Sequence, residues 1–544
     1  MSRHKVLAVR PTSTTRKPRG RHIQRVVTSI HDELSPSVGR RAMMVLAGFG
    51  RIRTRYSIDK LRSFESYRLT VSRWRVAAAM VLTPVPALCC ALSLAFIPLQ
   101  SPRLTVWHNG GFMGHMFGVL WFAAFGSILH PRAALGFSSD AFSLYEVVFT
   151  TTLATCLVMG VFLLIAVYWR FPVPFTIPVI FIPWSLTLAV ALVLVLRRRL
   201  FQTSVHYLSV GLWLLVQCSQ IIVYPAISAV FEAAGETVRV LLMLVFPLVK
   251  YVLKHALKVM GRDFGRDFHD EMAVSSVEIS ASLYQSMIMQ NTPSAMATTI
   301  IIGIDGLLAV KVFLDKPSLV GHNEIITTAL TVLQSRPSLS DRGLDVHELA
   351  LPGAIDHSSN SVGSSGFSRK RTHGLAEAMR RFSVTATEPE KIHLTDDEEK
   401  TVVWQALQLA QAAETILLVE YFEVMIPVVN AVHLAIASQL ESSHFNIKLY
   451  PFHHDTARLW SAQQNVLLYA VLQGLSVLAM MLVMQYRYNL SAAKFLAFVL
   501  ERHALSLHGK LIGWLPVILH FSLAHYGADF SFDFNLDKLL PPPH

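Results

Sequence analysis

The chain has 544 residues, of which 52% are apolar and only 15% are charged, and its formal net charge is +12. In a soluble globular domain about a quarter of the residues are charged, so this composition excludes an ordinary soluble protein and favours segments that face lipid. The four cysteines fall in apolar segments without metal-site spacing to histidine, which argues against a disulfide framework.

The basic charge is concentrated at the N-terminus. Residues 1–75 contain 18 Lys and Arg against 4 Asp and Glu, a net charge of +14, and the rest of the chain carries −2. This pattern predicts a cytoplasmic tail that contacts anionic lipid of the bilayer, and no nucleic acid is expected as a partner. Residues 1–31 also have the acid-free composition of a mitochondrial transit peptide, but Pro11 and Pro18 would break its helix. A plasma or endomembrane location is therefore favoured over a mitochondrial one.

A short amphipathic helix is predicted at residues 56–75, between the tail and the first span. Ile58, Leu61 and Phe64 recur at helical spacing, and Lys60 and Arg62 lie beside them. That pattern is typical of a helix that lies in the membrane interface.

The apolar segments that follow predict an all-α, polytopic membrane bundle of about ten or eleven transmembrane helices. A kink is expected in the first span, at Pro84 and Pro86. A helical hairpin is expected around residues 291–294, and residues 491–508 read as a further interfacial helix. The predicted spans are residues 76–97, 111–129, 146–169, 177–196, 207–230, 238–253, 273–290, 294–314, 403–437, 464–484 and 511–526.

These segments divide the chain into five parts. They are a disordered basic tail (1–55), the interfacial helix (56–75), the first part of the bundle (76–315), a mostly disordered polar loop (316–402) and the second part of the bundle (403–544). Four successive charge boundaries fit a cytoplasmic tail under the positive-inside rule. The polar loop is then also cytoplasmic, provided that residues 273–290 span the membrane.

Several passages resemble a family of large multi-pass membrane proteins from oomycetes that has no assigned activity. The passages are YRLTVSRWRVAAAMVLTPVPA at 67–87, SMIMQ at 286–290, LVEYFE at 418–423, FVLE at 498–501 and HYGADF at 525–530. The resemblance extends over most of the chain from about residue 56. It implies a membrane protein and no particular functional residue.

A polar stripe in the segment 403–437 is the main candidate for chemistry. Glu420, Glu423, Pro427, Asn430 and His433 are spaced 3, 4, 3 and 3 residues apart, which places them along one helix face. Because carboxylates are costly in hydrocarbon, the stripe should face protein or water. It is a proton or cation relay with a proline-broken helix, or a polar stripe buried against a neighbouring helix. A third reading is that Glu420 and Glu423 lie near the interface, because the segment of 35 residues is longer than a span. Asp305, with Lys311 nearby, is a further candidate for the relay.

Other motifs are weaker. Ser383 follows Arg380 and Arg381 and is a candidate phosphorylation site in the polar loop. His444, His453, His454 and Asp455 have the side chains of a metal site, but adjacent histidines have poor ligand geometry on a regular helix or strand, so no metal site is predicted. No catalytic residue and no cofactor is predicted, and the chain is not expected to be an enzyme.

Two functional hypotheses remain open. The first is a secondary transporter or channel-like carrier, which the broken helices and the Glu420/Glu423 stripe favour. The alternative is a non-transporting membrane scaffold or sensor that acts through its cytoplasmic tail and polar loop.

Overall fold

A computed structural model describes residues 56–134, 143–196, 207–260, 269–290, 324–336 and 395–530, together with positions 303, 339, 532 and 534. All of these residues belong to one compact unit, Thr54–His544. The described part of the chain is helical and contains no β-strand, which confirms the all-α class.

The helices, in chain order, are α1 Ile58–Thr70, α2 Arg73–Leu82, α3 Val85–Ala95, α4 Gly110–Ala134, α5 Leu144–Tyr168, α6 Thr176–Leu196, α7 Tyr207–Ala233, α8 Glu236–Met260, α9 His269–Met289, α10 Ile325–Ser335, α11 Asp396–Ala437, the one-turn α12 Tyr450–His453, α13 Thr456–Tyr488, α14 Ala492–Arg502 and α15 Ala504–His520. The break between α2 and α3 falls at Thr83 and Pro84, where the sequence predicts a kink.

Six stretches of helix in the described residues are long and apolar enough to cross a bilayer: Arg73–Ala95, Gly110–Leu129, Leu144–Tyr168, Leu215–Ala233, Asp396–Ala437 and Thr456–Tyr488. Two shorter apolar helices, Thr176–Ala191 and Ile325–Ser335, accompany them. These helices are compatible with a membrane protein, but the expected count of ten or eleven spans is not confirmed.

The exposed side chains of α13 form an apolar stripe bounded by aromatic residues. Trp460 and Tyr486 are exposed near its two ends, about 39 Å apart at the rise of an α-helix. Between them, the exposed positions are Leu467, Leu468, Val471, Leu475, Leu478 and Leu482. Aromatic rings at the interfaces and leucine between them are typical of a face that contacts lipid.

Helix α9 differs from the sequence prediction. Its range is close to the predicted span at 273–290, but it is not among the helices apolar enough to span, because serines and Glu278 interrupt it. Every described side chain from 274 to 290 is buried, and α7, α8, α11, α13 and α15 all pack against this helix. Small serine side chains permit this close packing on all sides. Because α9 is enclosed by protein, its sequence lacks the apolar signal of a lipid-facing helix.

The two helices predicted to lie in the membrane interface pack their apolar faces against other helices. Ile58, Leu61 and Phe64 of α1 are buried against α11 and α14. The ring of Phe64 meets that of Phe495 edge-on at 4.7 Å between centroids. The segment predicted as a second interfacial helix at 491–508 forms α14 and the start of α15, and the apolar face of α14 is buried as well. The apolar faces of both helices are therefore covered by protein.

Part of the polar loop predicted at 316–402 is an ordered helix. α10 buries Ile325, Ile326, Ala329, Leu330, Val332 and Leu333 and packs on α11. Near the other end of this segment, Thr395 and Glu398 form a capping box that starts α11. Residues 340–394 lie outside the described residues. α11 is 42 residues long, about 63 Å, which is twice the thickness of a hydrocarbon core.

Helices α4 and α15 approach each other through glycine. A Cβ atom added at Gly126 would lie 2.1 Å from the carbonyl oxygen of Gly509 and 2.9 Å from the nitrogen of Gly513. Only the absence of a side chain at Gly126 permits this spacing between the two backbones.

An ion pair between α14 and the start of α2 leads to a pH-dependent prediction. Arg75 donates to both carboxylate oxygens of Glu501, at 2.9 and 2.7 Å. The hydrogen bond from Arg75 lowers the pKa of Glu501 below its ordinary value. The pair therefore stabilises the fold above the ordinary carboxylate pKa, and this stabilisation is lost as the pH falls through the lowered pKa.

Replacing Glu501 by glutamine should lower the melting temperature slightly at pH 7, and the difference from wild type should close below about pH 4. Melting curves of both proteins across this pH range measure the effect. Glu441, which is exposed and outside this pair, supplies the control variant Glu441→Gln. A difference that persists unchanged at pH 3 would contradict the role of this carboxylate.

Candidate functional site

A group of buried charges lies where α8, α9, α11 and α13 meet, and we call it the Lys250 cluster: Lys250, Lys254, Glu278, Glu423 and Gln473. The ammonium of Lys250 lies 2.5 Å from Glu423 Oε1 and 2.8 Å from Glu278 Oε2. Lys254 pairs with the other oxygen of Glu278. Two lysines and two glutamates therefore balance each other in charge.

Burial sets the Lys250 cluster apart from a surface network. Glu278 and Glu423 are at most 1% exposed and Lys250 is 6% exposed, whereas the side chain of Lys254 is 23% exposed. Charges removed from water are costly unless they are paired and hydrogen-bonded. Within membrane helices such groups are typical of ion or proton pathways.

One face of α13 connects the Lys250 cluster to a cavity. Gln473 donates to Glu423 Oε2 and to the hydroxyl of Tyr469, both at 3.1 Å. Asn465 lies one turn before Tyr469 on the same face and lines the cavity. Asn465 and Gln473 are about 12 Å apart along the axis. Polar side chains thus lead from the cavity wall to the partly exposed Lys254.

The cavity has a volume of about 730 Å³ and lies between the end of α7, the start of α8, the end of α9 and the start of α13. Its charged lining residues are Glu232, Arg239, Lys448 and Arg458. Lys448 pairs with Glu232 at 2.9 Å. The guanidinium of Arg458 lies over the ring of Phe452, 5.8 Å from its centroid. Three cations and one carboxylate leave a net positive charge in the cavity.

A second cavity of about 770 Å³ adjoins the first and is lined by apolar residues. The two cavities share Ala229, Ala233, Phe521 and Phe530 as lining residues. A cationic chamber next to an apolar chamber suits a molecule with an anionic group and an apolar part.

A second buried ion pair, which we call the Lys60 triad, joins α1, α11 and the residue between α14 and α15. Lys60 Nζ lies 2.9 Å from Glu414 Oε1, 2.8 Å from its Oε2 and 3.0 Å from His503 Nε2. All three side chains are at most 4% exposed. The ammonium also lies 4.9 Å from the centroid of the Tyr56 ring. Lys60, predicted beside a lipid-facing stripe, instead pairs with a carboxylate inside the protein.

The predicted polar stripe of α11 is buried along its whole length, but it is divided between two environments. Glu423 belongs to the Lys250 cluster. His433 packs edge-on against His520, with 5.8 Å between ring centroids. Pro427 and Asn430 are buried between them, and Glu420 is buried one turn before Glu423. The stripe faces protein, but Glu423 and His433, about 15 Å apart along the helix axis, do not meet in one site.

The His433 end belongs to a group of buried histidines at α4 and α15. His115 Nε2 lies 3.1 Å from His520 Nδ1, and Tyr526 Oη lies 3.2 Å from His115 Nδ1. His520 Nε2 lies 3.0 Å from the carbonyl oxygen of Ala91, to which it donates. These contacts tie α3, α4 and α15 together, which indicates a packing role.

Two predicted site residues, Asp305 and Ser383, lie outside the described residues. Their roles stay predictions.

Sequence reasoning missed most of the Lys250 cluster. The positive-inside pattern places Lys250 and Lys254 at a cytoplasmic helix end. In the structure α8 continues to Met260, and both lysines pair with Glu278. Their spacing of four residues on an apolar helix was the available signal, because such a pair repeats on one face. Glu278 stands out less, as one acid in a serine-rich segment.

Comparison with known proteins identifies no relative. No protein-family model matches the chain, and no curated protein or solved structure matches it significantly. The resemblance to oomycete membrane proteins therefore stays a prediction.

Proposed function

We propose that this chain is a multi-pass integral membrane protein that works as a secondary transporter, with the Lys250 cluster as its coupling site. The observation that carries the proposal is the series of polar side chains from the cavity through Tyr469 and Gln473 to Glu423 and Lys250. Protonation of Glu423 would release Lys250 from one of its two carboxylates. Binding or release of a proton or cation at the cluster would thus change how α8 packs against α11.

The cavities suggest the class of substrate. The net positive chamber favours an anionic group, and the adjoining apolar chamber favours a hydrocarbon or aromatic part. An organic anion with an apolar portion is therefore the proposed cargo. With the N-terminal tail in the cytoplasm, the positive-inside pattern predicts that the loop carrying Glu232 and Glu236 faces outward. The cavity would then open away from the cytoplasm.

The test is uptake of organic anions into proteoliposomes under an imposed pH gradient. Glu423→Gln keeps the shape of the side chain but cannot ionise. Its single oxygen can accept from Lys250, and Gln473 can turn its own amide oxygen toward the new amide group. We expect uptake driven by the pH gradient to fall at least tenfold while the melting temperature changes little. Glu441→Gln, at an exposed glutamate outside the cluster, should transport like wild type.

A second measurement separates transport from a structural role. If the cluster only stabilises the bundle, Glu423→Gln will lower the melting temperature and leave uptake per folded molecule unchanged. That outcome, or uptake without any dependence on the pH gradient, would contradict the proposal.

The second candidate function is a non-transporting scaffold or sensor. The full pairing of two lysines with two glutamates favours it, because a charge-balanced cluster also suits a rigid structural clamp. The basic tail would then contact anionic lipid, in a plasma or endomembrane location, and act together with the polar loop. Protein that takes up no substrate in the proteoliposome screen would favour this alternative.

A further inference from the structure

Three histidines come together in the connection between α11 and α13. His444 belongs to the short 3-10 helix Glu441–Phe445, His453 ends α12, and His454 follows it as the C-cap residue. One ligating atom from each lies within 4.8 Å of the others. The ring centroids of His444 and His453 are 4.1 Å apart, and those of His453 and His454 are 4.4 Å apart.

The adjacent histidines converge because the helix ends between them. The expectation that neighbouring side chains diverge holds for a regular helix or strand, but α12 is a single turn. His454 has φ −109° and ψ −6°, which lies outside regular helical geometry. The change in direction at this residue allows its ring to turn toward that of His453.

The connection is held in place by a buried asparagine. Asn446 is 3% exposed, and its Oδ1 accepts from the backbone of Lys448 and from the hydroxyl of Ser522, at 3.1 and 2.8 Å. The backbone of Ile447 also donates to the carbonyl of Ser522 at 3.1 Å. The segment between His444 and α12 is therefore anchored to the region after α15, so the histidines start from a fixed backbone.

The hydrogen bonds of His453 select the nitrogen that can bind a metal ion. Its Nδ1 lies 2.8 Å from the carbonyl oxygen of Ser438 and 2.8 Å from the hydroxyl of Ser443. A carbonyl only accepts, so Nδ1 donates a proton and the neutral ring carries its lone pair on Nε2. A backbone carbonyl that orients a ligating histidine in this way is typical of metal sites.

We infer that His444, His453 and His454 form a site for a divalent late transition metal, with zinc as the fitting ion. Imidazole suits Zn²⁺, Cu²⁺ and Ni²⁺, whereas Ca²⁺ and Mg²⁺ require oxygen ligands. Tetrahedral zinc with Zn–N bonds of about 2.0 Å needs nitrogens about 3.4 Å apart, so side-chain rotation closes the site from its present spread. Because His444 and His453 are half-buried and His454 is exposed, the ion can enter from solvent and keep water as its fourth ligand.

This inference is independent of the proposed transport function. The binding experiment uses the full-length chain without a histidine tag, in lipid nanodiscs, titrated with Zn²⁺ against a competing chelator dye. Wild type should bind one Zn²⁺ per chain. His454→Ala and His444→Ala should each weaken binding at least about tenfold. Co²⁺ in place of Zn²⁺ should give visible absorption bands of a four-coordinate ion, which His454→Ala should abolish.

Two further variants keep the test decisive. His454→Cys retains a zinc-binding side chain and should restore most of the affinity lost in His454→Ala. His108→Ala, at an exposed histidine that ends the 3-10 helix Val106–His108, should bind Zn²⁺ like wild type. Zinc affinity that is equal in wild type and in both alanine variants, or that falls equally in His108→Ala, would overturn the inference.

Discussion

Replacing Lys60 by methionine is expected to lower the free energy of unfolding by about 3–5 kcal/mol. Lys60 is 1% exposed and is the only lysine or arginine ion-paired to Glu414 in the described part of the chain. Methionine fills a similar volume, but it removes the lysine from the buried carboxylate and, among the described residues, leaves only the imidazole of His503 beside it, 3.4 Å away. The loss should appear as a lower denaturation midpoint of the full-length protein in detergent or nanodiscs.

A double-variant cycle distinguishes this pairing from simple packing. Glu414→Leu alone should be similarly destabilising because it strands the ammonium, whereas the pair Lys60→Met with Glu414→Leu should recover half or more of the lost stability. The exposed pair Asp59–Arg62, at 3.7 Å, offers a control: Asp59→Asn should leave stability unchanged. Strictly additive losses in the double variant would show that the ions do not depend on each other.

The second large effect is expected at the contact between α4 and α15. Gly126→Ala places a methyl group 2.1 Å from the backbone oxygen of Gly509. No rotamer change can relieve this contact, because neither the Cβ atom nor the backbone oxygen moves with a side-chain torsion. The helices must separate, which costs about 1–3 kcal/mol or more for overpacking. Thermal or denaturant unfolding measures this loss.

The same helix supplies a matched control for Gly126. Gly114 also lies in α4, and a Cβ atom added there would meet no heavy atom within 4 Å. Gly114→Ala should therefore be neutral or stabilise the protein by up to about 1 kcal/mol, since alanine is the better helix former. If both variants behaved alike, helix propensity rather than helix contact would explain the result at Gly126.

Helices α9 and α11 show which features the sequence predicts and which only the folded structure reveals. The apolar run of α11 predicts a long helix with a polar stripe, and the stripe is buried. The helix continues through Pro427, where the sequence predicts a break. The partners of the stripe could not be predicted, since Lys250 and Glu423 are 173 residues apart in the chain. For α9 the sequence was less informative. Its serine-rich segment predicts a membrane span only weakly, yet in the structure this helix contacts five others at the centre of the bundle.

The sequence by itself determined the helical class, the positions of the most apolar helices and the break at Pro84, because these depend on the local cost of transferring each segment from water and on backbone geometry. Only the tertiary structure decided which surface an amphipathic helix covers and which charges meet. Ile58, Leu61 and Phe64 could pack on lipid or on protein with nearly the same local free energy. The choice depended on Glu414, 354 residues from Lys60, because a buried carboxylate requires a cation that only the folded chain can bring to it.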